Sequence, residues 1–251
     1  MHTGLVSITF RKKSVEEIIA LVKEAGLTSI EWGGDVHVPH GDIETAKRVG
    51  ELTREAGLTC VSYGSYYHCT PEDVPFETVL DTAVALGAGV IRVWAGKKNH
   101  HEAEPEYREA VYEDLRRCVA LAAEKGILIS TEYHHTSLTN NEEGALAMLN
   151  AVPGLYTHWQ PRNYYPDVQE QEDIIRLLGD RVIGAHVFHW EGIDSRPLEE
   201  GTDCWDKFTK ALSDGGNVKF MTLEFVLDGA AEAFLADAEV LKKIVAKCCT
   251  K

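Results

Sequence analysis

Four polar side chains that could do chemistry stand at the ends of four apolar, β-branched segments in the second half of the sequence. They are Glu132 at the end of ILISTE (127–132), Gln160 at the end of LYTHWQ (155–160), His186 at the end of RVIGAH (181–186) and Glu224 in KFMTLEF (219–225). Together they offer two carboxylates, one amide oxygen and one imidazole. This oxygen-rich donor set suits one divalent cation such as Mn²⁺, Mg²⁺, Zn²⁺ or Co²⁺.

The alternation of side chains predicts the direction in which these groups point. Successive residues of a strand face opposite sides, and in residues 127–132 the apolar Ile127 and Ile129 share one face while Glu132 shares the other. The apolar face must pack against helices, so Glu132 is predicted to point inward, and the same argument applies to Glu224. Two inward carboxylates close together repel each other, and a bound cation removes that cost.

These segments belong to a regular alternation of short apolar runs with longer amphipathic runs. The apolar runs are residues 5–10, 27–32, 58–63, 89–94, 127–132, 155–160, 181–186 and 219–225. Strict alternation of strand and helix predicts parallel strands with right-handed crossovers. Eight such units predict an α/β fold, the (β/α)8 TIM barrel, as one domain over residues 1–251. An open doubly wound sheet is the alternative, but no GxGxxG motif follows the first run.

The helix boundaries are also marked in the sequence. Ser14 and Glu17 have the spacing of a capping box at the start of the first helix. Glycines in KEAGL, REAGL, ALGAG and AEKGI lie where a residue in the left-handed conformation would end a helix.

In a TIM barrel the active site lies at the carboxyl ends of the strands. Other polar or aromatic residues near those ends are therefore candidates for substrate contacts. These candidates are Glu31, His68, Arg92, Trp94, His134 and His135. Arg92 is predicted to face inward, where it could hold a substrate or pair with Glu31 or Glu132.

Composition excludes several classes of protein. The 251 residues carry a formal net charge of −15, which repels nucleic-acid phosphates. No apolar stretch approaches the roughly 18 residues that span a membrane, and the first residues lack a signal-peptide pattern. Six cysteines without a CxxC pair are typical of free thiols in a reducing compartment. We therefore expect a cytoplasmic protein, and its oligomeric state is left open, with a homo-oligomer as one option.

Motifs along the whole chain resemble the sugar phosphate isomerase/epimerase family, the xylose isomerase-like TIM barrels of the AP endonuclease 2 superfamily. The motifs are IEWGGDVH (30–37), VSYGSYY (61–67), IRVWAG (91–96), STEYHH (130–135), THWQP (157–161), AHVFHW (185–190) and TLEF (222–225). The resemblance implies a metal-dependent isomerase or epimerase acting on a sugar or sugar phosphate. It assigns the metal to Glu132, Gln160, His186 and Glu224, and the proton transfer to Glu132 and Glu224.

The chain departs from the family pattern at three places. Gln160 stands where the family has Asp, which leaves two formal negative charges instead of three and predicts weaker metal binding. The family's epimerases carry a substrate-binding His three residues further on, where this chain has Asn163, and an Arg after the strand-seven His. Within EGIDSR (191–196) no basic residue precedes Arg196. Asn163 is retained as a candidate for substrate binding, but the particular sugar is not transferred.

Three alternative functions follow from the same residues. A DNA repair endonuclease would need a metal-ligating His where Trp94 stands, and the acidic charge opposes it. A dehydratase or lyase acting on a polyol or keto-acid would use the same metal. A non-catalytic sugar-binding barrel is favoured by the neutral Gln160.

Overall fold

The computed structural model describes residues 1–162 and 167–248. The barrel strands in these residues are β1 (His2–Val6), β2 (Ser29–Gly33), β3 (Thr59–Gly64), β4 (Val90–Val93), β5 (Leu128–Glu132), β6 (Leu155–Trp159), β7 (Val182–Val187) and β10 (Phe220–Leu223). These eight parallel strands close into a barrel in the order β1-β10-β7-β6-β5-β4-β3-β2, with helices between them. The predicted (β/α)8 barrel is confirmed.

Within the described residues, eight α-helices accompany the strands. They are α1 (Val15–Glu24), α2 (Ile43–Glu55), α3 (Phe76–Leu86), α4 (Pro105–Ala123), α5 (Glu142–Ala151), α6 (Val168–Leu178), α7 (Thr202–Asp214) and α8 (Ala231–Cys248). A hairpin of β8 (His189–Glu191) and β9 (Asp194–Arg196) follows β7. In the part of the chain that the structure describes, no helix is long and apolar enough to cross a membrane.

The helix ends follow the predicted capping signals. Ser14 Oγ accepts a hydrogen bond from the Glu17 N–H at 3.2 Å, and Glu17 Oε2 accepts one from the Ser14 N–H at 2.7 Å. Gly87 ends α3 with φ 78°, a conformation that costs glycine little because it has no Cβ. The capping box and the glycine that ends α3 are therefore both confirmed.

Two elements differ from the prediction. The first strand is His2–Val6 rather than residues 5–10, and Ser7–Phe10 form a 3₁₀ helix. Gly4 explains part of this shift, because a Cβ at Gly4 would lie 2.3 Å from Ser29 Oγ. Glycine usually weakens a strand, but here Gly4 allows β1 to approach Ser29 of β2 closely. The β8–β9 hairpin was not predicted, and its turn contains Gly192 with φ 63°.

The chain groups into two compact units. The first consists of residues 1–31, 53–59 and 159–251 and contains β1, β7 and β10. In this unit Phe220 pairs with Gly184 and Thr222 pairs with His186. A Cβ at Gly184 would lie 2.2 Å from the Phe220 ring. The ring can therefore pack here only because residue 184 has no side chain.

The second unit consists of residues 32–52 and 60–158 and contains β4, β5 and most of β3 and β6. Here Arg92 of β4 pairs in register with Ser130 of β5. Glu132, at the end of β5, pairs with His158 of β6. The register therefore brings the polar residues of three adjacent strands to the carboxyl end of this part of the barrel.

Candidate active site

His186 lies between two buried carboxylates in the first unit. Its Nε2 is 3.3 Å from Oε2 of Glu31, and its Nδ1 is 3.4 Å from Oε2 of Glu224. Glu31 and His186 are fully buried, and Glu224 is 3% exposed. The three residues come from β2, the end of β7 and the position after β10.

The hydrogen bonding of His186 determines how its ring can act. If Nε2–H donates to Glu31, the lone pair of Nδ1 faces Glu224. A metal-ligating histidine commonly donates its other ring N–H to a carboxylate, which fixes the tautomer and the ring orientation. Two buried carboxylates around one imidazole also carry more negative charge than a protonated ring could balance within this trio. Both features suit a cation bound between Nδ1 of His186 and the Glu224 carboxylate.

Gln160 lies directly after β6 and is 8% exposed. Its amide oxygen is a neutral donor for a hard cation. The structure therefore keeps it buried at the strand end where the sequence predicts a ligand.

Glu132 has different surroundings in the second unit. Arg92 Nη1 donates a hydrogen bond to Oε2 of Glu132, and the two side chains are 3% and 6% exposed. Thr139 Oγ1 donates to the backbone carbonyl of Glu132 at 2.5 Å. Arg92 therefore pairs with Glu132, one of the two partners that the sequence suggested for it.

Trp94 is the centre of an aromatic cluster after β4. Its ring centroid lies 4.4 Å from that of His134, 5.6 Å from that of His68 and 6.4 Å from that of Tyr66. His134 stacks on His135 at 4.1 Å. The predicted candidates His68, Trp94, His134 and His135 therefore lie together, with aromatic faces of the kind that can pack on the C–H surface of a small molecule.

Burial changes the titration of two histidines in this cluster. It lowers the pKa of His68, although Asp73, whose Oδ1 is 3.5 Å from Nδ1, raises it. Burial also lowers the pKa of His135, and the neighbouring His134 lowers it further. Both rings are therefore neutral donors and acceptors near pH 7.

His158 is a buried residue that the site prediction missed. Its Nδ1 lies 2.6 Å from Ser130 Oγ, and it is fully buried. The signal was present, because alternation places His158 on the same face as Gln160. Asn163, the remaining candidate for substrate binding, lies outside the described residues.

These features define a closed (β/α)8 barrel with carboxylates and an imidazole at the carboxyl ends of its strands. Residues 19–244 match the xylose isomerase-like TIM barrel family, and the chain belongs to that family. No curated protein sequence matches the chain at a significant level.

Solved structures share the fold at low sequence identity. The probable 3-DHS dehydratase AsbF of Bacillus anthracis is 19% identical, with a TM-score of 0.79 over 96% of this chain and 99% of that one. A xylose isomerase domain protein of Alicyclobacillus acidocaldarius is 17% identical, with a TM-score of 0.76 over 99% of both chains. A D-allulose 3-epimerase of Methylomonas sp. is 18% identical, with a TM-score of 0.73 over 97% of this chain and 98% of that one.

Proposed function

We propose that the chain is a divalent-metal-dependent isomerase or epimerase that moves a proton next to the carbonyl of a small sugar or sugar phosphate. The observation that carries the proposal is His186, held between Glu31 and Glu224 with one nitrogen facing each carboxylate. The strand order adds support, because β5, β6, β7 and β10 follow one another around the barrel. The residues proposed as ligands are Glu132, Gln160, His186 and Glu224.

The donor set fits a divalent ion. Three of the proposed ligands offer oxygen and one offers nitrogen, and all four side chains are buried. The chemistry that a bound cation supplies is polarisation of a carbonyl oxygen and stabilisation of the negative charge that develops on it. Glu31 has the role of orienting His186 rather than of touching the substrate.

The two glutamates are proposed as acid and base. Glu132, which Arg92 keeps ionised, would remove a proton from the carbon next to the carbonyl, and Glu224 in its protonated form would return one from the other side. Arg92 stabilises the Glu132 anion through its hydrogen bond to Oε2. A proton returned to the opposite face gives epimerisation, whereas a proton returned to the adjacent carbon gives isomerisation.

Proton exchange in deuterated water tests this function. The chain would be stripped with EDTA, reloaded with Mn²⁺ and incubated with pooled ketoses and ketose phosphates, and deuterium at C1 or C3 would be measured by mass spectrometry. We expect metal-dependent incorporation that Glu224→Gln reduces by at least about a hundredfold. Glu24→Gln, which changes an exposed glutamate in α1, is the matched control.

Two outcomes would replace the proposal. Formation of a new conjugated carbonyl absorbance without back-exchanged product would identify a dehydratase. Failure to bind any divalent ion in excess Mn²⁺ would leave a non-catalytic sugar-binding barrel as the better description.

A further inference from the structure

Two histidines and one glutamate form a separate cluster after β4. His100 and His101 belong to the 3₁₀ helix His100–Glu102, and Glu143 lies in the first turn of α5. We propose that this cluster, here called the His100–His101–Glu143 site, binds a divalent transition metal of the Zn²⁺ class. None of its residues belongs to the proposed active site, so the inference does not depend on the proposed function.

The donor atoms have the spacing of ligands that share one ion. His100 Nε2 is 3.9 Å from Oε1 of Glu143, and His101 Nε2 is 3.6 Å from Oε2. One donor from each of the three residues lies within 4.8 Å of the others. Zn–N and Zn–O bonds of about 2.0–2.2 Å in tetrahedral geometry separate two ligands by about 3.4 Å. Shifts of at most about 1.4 Å would therefore bring the donors into place, and the exposed side chains of His101 and Glu143 can make them.

The same distances are long for direct hydrogen bonds. Protein N–H···O bonds fall between about 2.7 and 3.2 Å, and neither imidazole reaches Glu143 within that range. Two imidazoles and a carboxylate are also ligand types that suit zinc and its neighbours in the first transition series. The arrangement is explained better by a shared cation than by a pair of hydrogen bonds.

His100 is held in place by its surroundings. Its backbone N–H donates to Asn140 Oδ1 at 2.8 Å, and its carbonyl accepts from Arg108 Nη1 at 3.2 Å. A Cβ at Gly144 would lie 2.8 Å from the His100 Cβ, so only a glycine in the first turn of α5 allows this close packing. The His100 side chain is 8% exposed and therefore forms a fixed wall of the site.

The other two ligands face solvent. The side chains of His101 and Glu143 are 66% and 68% exposed, which gives an ion access and leaves room for water as a fourth ligand. The formal net charge of −15 raises the local concentration of cations near the surface. Arg108 is a nearby positive charge that would repel a cation, but its guanidinium donates to the His100 carbonyl.

A metal at this site would connect two segments of the second unit that are distant in sequence. It would join the segment after β4 to the first turn of α5. Asn99, next to His100, accepts a hydrogen bond from the Thr136 N–H through Oδ1 at 3.0 Å. Thr136 follows His134 and His135, so the ion would restrain the segment that carries these candidate substrate contacts.

Equilibrium dialysis with ZnCl₂ tests the site on the full chain. Wild type, His101→Ala and Glu143→Gln would be compared, with Glu102→Gln as a matched control because Glu102 is an exposed carboxylate in the same 3₁₀ helix. We expect His101→Ala and Glu143→Gln to bind one Zn²⁺ fewer per chain than wild type, or to bind that ion at least tenfold more weakly. Glu102→Gln should match wild type. Circular dichroism would verify that these exposed substitutions leave the fold intact.

Histidine ring NMR and one further variant separate this site from the proposed active site. Zn²⁺ should shift the ring signals of His101 in both wild type and Glu224→Gln, because Glu224 does not belong to the cluster. Equal Zn²⁺ stoichiometry and affinity in wild type, His101→Ala and Glu143→Gln would overturn the proposal. So would His101 signals that do not move when Zn²⁺ is added. Loss of metal from Glu224→Gln alone would count against this site and in favour of the proposed function.

Discussion

The two glutamates proposed to exchange a proton have opposite surroundings. Glu224 lies beside His186, whose other nitrogen faces a second carboxylate, Glu31. Glu132 accepts a hydrogen bond from Arg92, a permanent cation. The first arrangement has an excess of negative charge that an added cation would balance, whereas the second is neutral as a pair.

This difference gives the two carboxylates different dependence on metal. The arrangement around His186 should gain stability from a divalent ion, while the Arg92–Glu132 pair should keep its geometry without one. The comparison also shows why a list of acidic residues is not enough to identify a metal site. The partner of each carboxylate determines what that carboxylate can do.

Removal of Arg92 should have the largest effect on stability. In Arg92→Met the buried Glu132 loses its guanidinium, and breaking a buried ion pair from one side costs about 3–5 kcal/mol. Urea unfolding of the metal-free protein measures this loss. The double variant Arg92→Met/Glu132→Gln should recover most of it, and a single variant as stable as wild type would contradict the description of Glu132 as a guanidinium-held anion.

Asp237 of α8 shows what happens to a buried carboxylate that has neither kind of partner. It is 6% exposed, and its Oδ1 accepts the Leu198 N–H at 2.9 Å. Burial raises its pKa from 3.8 to about 6, although the hydrogen bond lowers it. Between these two values the folded chain keeps a proton that the unfolded chain has released, so the free energy of unfolding falls as pH rises.

Asp237→Asn should remove this pH dependence. Its amide oxygen can still accept the Leu198 N–H, and the variant should become more stable than wild type above pH 6 by up to about 3 kcal/mol. Urea unfolding at pH 4 and pH 7 measures the difference, with the exposed Asp81→Asn as control. An equal fall in stability in both Asp237→Asn and wild type would show that other groups cause it.

Glu31→Gln should weaken metal binding at the proposed site without abolishing it. A group that orients a metal-ligating histidine typically changes affinity by about 10–100-fold. Mn²⁺ titration by calorimetry measures this, and Glu224→Gln should lose more affinity because it removes a ligand itself. Unchanged affinity in Glu31→Gln would mean that Glu31 does not fix the His186 tautomer.

Gln160→Asp should have the smallest effect, in the opposite direction. An added negative ligand should increase Mn²⁺ affinity by roughly tenfold. The change in Kd would be compared with that of Gln169→Glu, which adds the same charge in the first turn of α6. If both variants gain equally, the effect comes from net charge and not from coordination at position 160.

Much of the scaffold could be predicted because local patterns encode it. Alternation in residues 127–132 placed Glu132 at an inward strand end, and the structure buries it there. The Ser14–Glu17 capping box is equally local. The predicted start of the first strand was too late. Gly4 is a poor strand former, but it belongs to β1 because its lack of a Cβ lets it pair closely with Ser29 of β2.

The contacts that give the site its chemistry were harder to predict. His186 and Glu31 are 155 residues apart in sequence, and no local pattern favours that pairing. Arg92 had several acidic residues within plausible reach, and side-chain packing selects among them. Backbone at the strand ends also departs from ordinary conformations, with φ of 56° at Tyr66 and 53° at Phe225, which neither residue type signals.

The contact between Phe220 and Gly184 affects how molecules can reach His186. Phe220 lies two positions before Thr222 on β10, and Gly184 lies two positions before His186 on β7. Both therefore lie nearer the amino-terminal ends of these strands. The Phe220 ring is 1% exposed and presents only apolar atoms on the amino-terminal side of His186. On these two strands, water and polar molecules would therefore reach His186 from the carboxyl side, because the amino-terminal side is covered by an aromatic ring that cannot hydrogen-bond to them.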